Sequence, residues 1–209
     1  MIFTDIKKSA MVLLLLLLMA GCGGGGGATA VSDGESVITD PVPIEAPVLS
    51  DEEKQTYLDA INDARSRQQD CGSEGVYDPA PALSWSDELY KAAYEHDRDM
   101  VETDMYPLSH DGSGTEYDWT AQEQGLDYST FEDRIENNGY LDWQTIGENI
   151  AAGTNMDSAR KAVEAWLDSD GHCANLMNPN YTEVGMAHIG KSGTYYTHYW
   201  TQDFGAKKR

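Results

Sequence analysis

The chain has 209 residues, room for one domain of ordinary size plus additional segments. Its formal charge of -22, from 14 Lys and Arg against 36 Asp and Glu, argues against a nucleic-acid partner, whose phosphates need clustered cations, and against electrostatic docking on anionic headgroups. Hydrophobic residues at 40%, with 10% aromatics, supply enough apolar surface for a folded core.

Lys7 and Lys8 precede an apolar run from Ala10 to Ala20. About 20 apolar residues are needed to span a bilayer as a helix, so the run is too short, and the order basic, apolar, small is that of a secretory signal over residues 1–21. Leu18-Met19-Ala20-Gly21-Cys22 resembles the lipobox of bacterial lipoproteins, with Met19 where Leu is usual. That resemblance implies a chain exported and attached to the membrane of the bacterial envelope, at the outer membrane or cell surface, through acyl chains on Cys22. Residues 22–49, with Gly23 to Gly27 and then Pro41, Pro43 and Pro47, read as a flexible tether.

From Ser50 the pattern becomes helical. Ser50 and Glu53 form a capping box ahead of Tyr57, Leu58, Ile61 and Ala64. A second helix starts at Ser86, with Leu89, Ala92, Ala93, His96 and Met100 on one face. His96 reads as a core or cleft-edge side chain. Ser129 and Glu132 predict a capping box before Phe131 and Ile135, and a further helix starts near Asp157 with Ala159, Ala162, Val163, Trp166 and Leu167 buried. Towards the end the period falls to two. Val184 to Ile189 and Thr194 to Thr201 flank Gly190-Lys191-Ser192-Gly193 as a hairpin. If Ile189 faces Thr194, His188 and His198 are out of register and do not pair. Helices followed by a late antiparallel pair point to an α+β domain over residues 50–206, with 207–209 as a basic tail.

With Cys22 assigned to lipid, Cys71 and Cys173 remain. In an exported protein they read as a disulfide, two separate buried thiols being the alternative. A zinc site using both is disfavoured, since neither lies in a Cys-x-x-Cys pair.

Several separated stretches share one pattern. They are Leu83-Ser84-Trp85, Ser109-His110, Gly147-Glu148-Asn149-Ile150-Ala151, Trp166 through Gly171-His172, Asn175 to Pro179, Thr182 to Gly185, and Tyr199-Trp200-Thr201-Gln202-Asp203-Phe204-Gly205. In this order they resemble the CAP superfamily (cysteine-rich secretory proteins, antigen 5 and pathogenesis-related proteins) in its bacterial SCP-like branch, over about Ser50 to Gly205. The resemblance implies a three-layer α-β-α sandwich with a central antiparallel sheet. It also implies a cleft lined by His110, Glu148 and His172, with Ser169 where many relatives carry a second Glu; Asp168, one residue away, points elsewhere on a helix.

Two neutral imidazoles and a carboxylate suit a divalent cation such as zinc. The alternative is that Glu148 bonds loop amides and both His satisfy polar groups. Tyr117, Trp119 and Tyr128 either cover the core or bind a small apolar ligand or a glycan. Three functions stay open: an envelope-anchored binding module, a metal-assisted hydrolase on peptide or envelope polymer with Glu148 as ligand or general base, and a passive envelope lipoprotein.

Overall fold

The computed structural model describes residues 45–208. The signal segment, the lipobox with Cys22 and the tether up to residue 44 lie outside the described residues, as does Arg209. The final stretch of the expected tether is docked: Ala46 and Leu49 pack beside Tyr90 and Ala93, and the Tyr90 hydroxyl donates to the Pro47 carbonyl.

Helix α1, Asp51–Arg65, starts at the Ser50–Glu53 capping box. It leads through the two-residue strands β1 (Gln69–Asp70) and β2 (Val76–Tyr77), paired antiparallel across a short 3-10 turn, to β3 (Ser84–Trp85). Helix α2, Asp87–Glu102, is capped by Ser86, whose hydroxyl accepts from the Leu89 amide. Helices α3 (Trp119–Gln124) and α4 (Phe131–Asn137) follow, then β4 (Trp143–Gly153), α5 (Ala159–Leu167), α6 (Asp170–Leu176), β5 (Glu183–Gly190) and β6 (His198–Lys207).

The main sheet has the order β3-β5-β6-β4. Its three long strands are antiparallel, and the short edge strand β3 adds a parallel neighbour to β5. Ile61, Ala64, Val163, Trp166 and Leu176 of α1, α5 and α6 pack on one face, against Val184, Met186, Trp200 and Phe204. On the other face lie α2 and α4, with Leu89, Ala92, Ile135 and Tyr140 in one cluster and Met100, Ile150 and Tyr199 in another. The α+β, three-layer expectation holds.

Three local expectations are corrected. The capping box of α4 belongs to Thr130 and Asp133, one residue beyond the expected pair; Ser129 is buried instead, its hydroxyl accepting from Arg134. Strand β6 starts at His198 and runs through Lys207, so Lys207 pairs with Trp143 rather than lying in a tail. The hairpin register sets Gly190 opposite His198 and His188 opposite Trp200. This makes His188 and His198 diagonal neighbours on one face, and His188 Nε2 lies 3.0 Å from His198 Nδ1. They do pair, because the connection spans residues 191–197 rather than the four residues of a tight turn.

Candidate functional site

Strand β4 is one edge of the main sheet, and the candidate residues gather around it. Glu148 lies mid-strand opposite Asp203, and its side chain is almost fully buried. His110, from the loop after α2, approaches from one side, and its Nδ1 is 2.8 Å from Glu148 Oε1. A carboxylate only accepts, so Nδ1 carries a proton and is the donor. His172, on α6 of the opposite layer, brings its ring centroid to 6.4 Å from that of His110. Three side chains distant in sequence therefore converge.

The second Glu148 oxygen is occupied by Arg134, whose Nη2 donates to Oε2 at 2.8 Å and to the His110 carbonyl at 2.8 Å. Arg134 also donates to the Ser129 carbonyl and hydroxyl. One guanidinium thus fixes the acid, the backbone of the first His and the turn before α4. Burial raises the Glu148 carboxyl, but Arg134 above all, with His96 and His110 adding, holds it down at about 2. His96 is fully buried; its Nε2 donates to the Ser109 carbonyl at 2.9 Å, holding the backbone next to His110. Burial, with Arg134 nearby, pushes His96 down to about 4, so it stays neutral at ordinary pH. Burial and the neighbouring His110 lower His172 as well.

The placement of His172 follows from the sequence Gly147-Glu148-Asn149. Successive strand residues face opposite sides, so Glu148 points towards α2 and α4 while Asn149 points towards α6. The Asn149 amide donates to the His172 carbonyl at 3.2 Å. Asn175, one turn further along α6, donates to the Glu148 carbonyl and to the Asn149 side-chain oxygen, and the Tyr181 hydroxyl donates to Asn175. Gly147 is required here, since a Cβ would collide with that hydroxyl.

Ser169 occupies the N-cap position of α6 without a side-chain capping bond, and Asp168 is the exposed C-cap of α5. Trp119 opens α3 half-buried, and Tyr128 is exposed. Cys71 and Cys173 form a disulfide, with Cα atoms 5.4 Å apart, which ties the β1–β2 ribbon to α6 beside His172. Sequence reasoning missed the roles of Arg134 and Asp203. The available signal was a charged residue within an apolar stretch, Arg134 beside Ile135 and Asp203 beside Phe204, a charge that burial forces to be paired or neutralised.

Residues 58–204 match the model of the cysteine-rich secretory protein family, CAP. Among curated proteins, 115 residues are 34% identical to "Uncharacterized membrane protein YlbC" of Bacillus subtilis (strain 168), covering 55% of this chain and 27% of that one. A separate match over 64 residues is 39% identical to "Uncharacterized protein YkwD" of the same organism, covering 31% of this chain and 22% of that one. The matched stretches thus span about a quarter of those relatives. Among solved structures, an extracellular SCP-domain protein of Bacillus anthracis str. Ames superposes with a TM-score of 0.52 at 25% identity, covering 78% of this chain and 45% of that one. An outer surface protein of Borrelia burgdorferi gives 0.52 at 19% identity, over 77% of this chain and 97% of that one, a likeness of fold. With a family match over most of the chain and the same layered fold, this protein belongs to the cysteine-rich secretory protein (CAP) family.

Proposed function

We propose that the domain is an envelope-anchored, extracytoplasmic binding module whose His110–His172 pair takes a divalent cation such as zinc together with a small ligand. The convergence of the two rings around buried Glu148 carries this reading. A metal-binding His commonly donates its other ring nitrogen to a carboxylate, which fixes tautomer and orientation; His110 and Glu148 have that arrangement. Each Glu148 oxygen accepts one hydrogen bond, from His110 and from Arg134, which favours Glu148 as the carboxylate that orients His110 over Glu148 as a ligand itself. Among the described residues no three His, Cys, Asp or Glu side chains form a metal-binding group, so water or ligand would complete the shell. A cation held there supplies a Lewis acid for a ligand oxygen.

Export is supported by the secretory pattern of residues 1–21, by a disulfide of the kind that persists in oxidising compartments, and by relatives described as a membrane protein and an extracellular protein. The hydrolase reading fares worse. A general base works best with a pKa near the operating pH, and Glu148 is held at about 2.

Metal content and thermal stabilisation by Zn2+ test the reading on the native protein and on the His110→Ala, His172→Ala double variant. The double variant is expected to hold one equivalent less and to lose the zinc-dependent shift. Equal stoichiometry and equal shift in both proteins would sink the proposal.

A further inference from the structure

A second pair of imidazoles lies outside the site described above. His188 on β5 and His198 on β6 point to the same sheet face, with His188 Nε2 and His198 Nδ1 3.0 Å apart. The His188 ring stacks on Trp200 at 4.1 Å between centroids, which limits its rotation. The two imidazoles are themselves only 21° from parallel.

We propose that His188 and His198 form a surface chelate for a divalent transition cation of the copper or nickel type. A cation about 2.0–2.1 Å from two nitrogens this close together sees them at an angle of about 90°. That is the angle of square-planar and tetragonal Cu(II) or Ni(II), whereas a tetrahedral zinc site needs a wider bite. In the metal-free pair a proton lies between the rings, and the cation replaces it when both rings turn so that their nitrogens face the space beside Gly190.

Room for that cation comes from Gly190, the cross-strand partner of His198. A Cβ there would lie 3.3 Å from His198 Nδ1 and 3.8 Å from His188 Cε1, so the missing side chain leaves open the space beside the two nitrogens. Gly190 itself is exposed, giving access from solvent. On the other side Gly153 pairs with His198. Met156 covers Gly153, its Cε 3.6 Å from where a Cβ would be. Asp157 follows and supplies a nearby negative charge felt by His188, balanced by its own ion pair with Lys161 at 2.8 Å.

The test uses the full chain carrying His110→Gln and His172→Gln, so that the first cluster contributes nothing. Cu(II) titration is followed by bound metal after dialysis and by quenching of tryptophan fluorescence, with circular dichroism confirming the fold. One equivalent of Cu(II) is expected, binding at least tenfold more tightly than Zn2+ and quenching part of the emission through Trp200. Adding His198→Gln is expected to weaken Cu(II) at least tenfold and to remove that quenching. Gly190→Ala, which keeps both rings, is expected to weaken it several-fold. Unchanged Cu(II) affinity in the His198→Gln protein, or in the Gly190→Ala protein, would overturn the proposal, as would an absence of binding before either change.

Discussion

Glu148 and Asp203 sit opposite each other on β4 and β6, two carboxyl groups in a dry interior with one guanidinium close by. Arg134 bonds Glu148, and among the described residues both Asp203 oxygens are buried with no hydrogen-bond partner. Burial and the Glu148 charge raise Asp203 well above its ordinary 3.8, favouring its protonated form. A raised acid adds stability that is complete below the unfolded value of 3.8 and is lost as pH climbs towards the folded value. Asp203→Asn needs no such proton. Thermal unfolding from pH 4 to pH 8 is expected to show the variant gaining on the native protein as pH rises, by about 1 kcal/mol or more near neutrality; parallel curves would contradict this. Glu148 has the opposite sign. Its contribution is full above 4.5 and fades as pH falls towards about 2. Arg134→Met strands that carboxylate, and urea unfolding at pH 7 is expected to register a loss of about 3–5 kcal/mol.

At the scale of elements, α6 is the piece whose seating decides where His172 sits. Its polar attachments run through Asn149 and Asn175, so Asn149→Ala is expected to cost about 1–3 kcal/mol by leaving the His172 carbonyl and the Asn175 amide short of partners. Weakened zinc stabilisation should accompany that loss, measured by thermal shift with and without Zn2+. The helices α1 and α2 were legible because Ser50 and Ser86 cap regular apolar stripes. Strand β4 was not legible as a strand. Its centre, Glu148-Asn149, is buried and polar on both faces, and period-two reading depends on an apolar side facing a wet one. For β6, the Tyr195-Tyr196 pair mimics strand composition, yet residues 191–197 form the connection, so the strand starts four positions later. The two His and the Glu were named from motif resemblance alone. Their convergence comes from an edge strand flanked by helical layers, which no local pattern encodes.

For the molecule as a whole, the Cys71–Cys173 bond joins positions 102 apart, enclosing α2, α3, α4, β4 and α5 within one covalent loop. In the chain-entropy description such a bond withdraws about 4–5 kcal/mol of freedom from the unfolded chain. Cys71→Ala with Cys173→Ala is therefore expected to lower the thermal midpoint by on the order of 10 °C or more. Thiol counting on the denatured, unreduced native protein should find neither Cys71 nor Cys173 free. The consequence for the site is separable from the consequence for stability. Cys173 adjoins His172, but His172 is also held from β4 by Asn149, and Asn175 keeps α6 on the Glu148 backbone. These attachments survive loss of the sulfur bridge as long as the fold does. Zinc-dependent stabilisation, measured well below the lowered midpoint, is thus expected to remain within about threefold of the native affinity, about 0.6 kcal/mol. A complete loss of zinc response in a variant that still shows native circular dichroism would mean that the disulfide, rather than the asparagine contacts, seats His172.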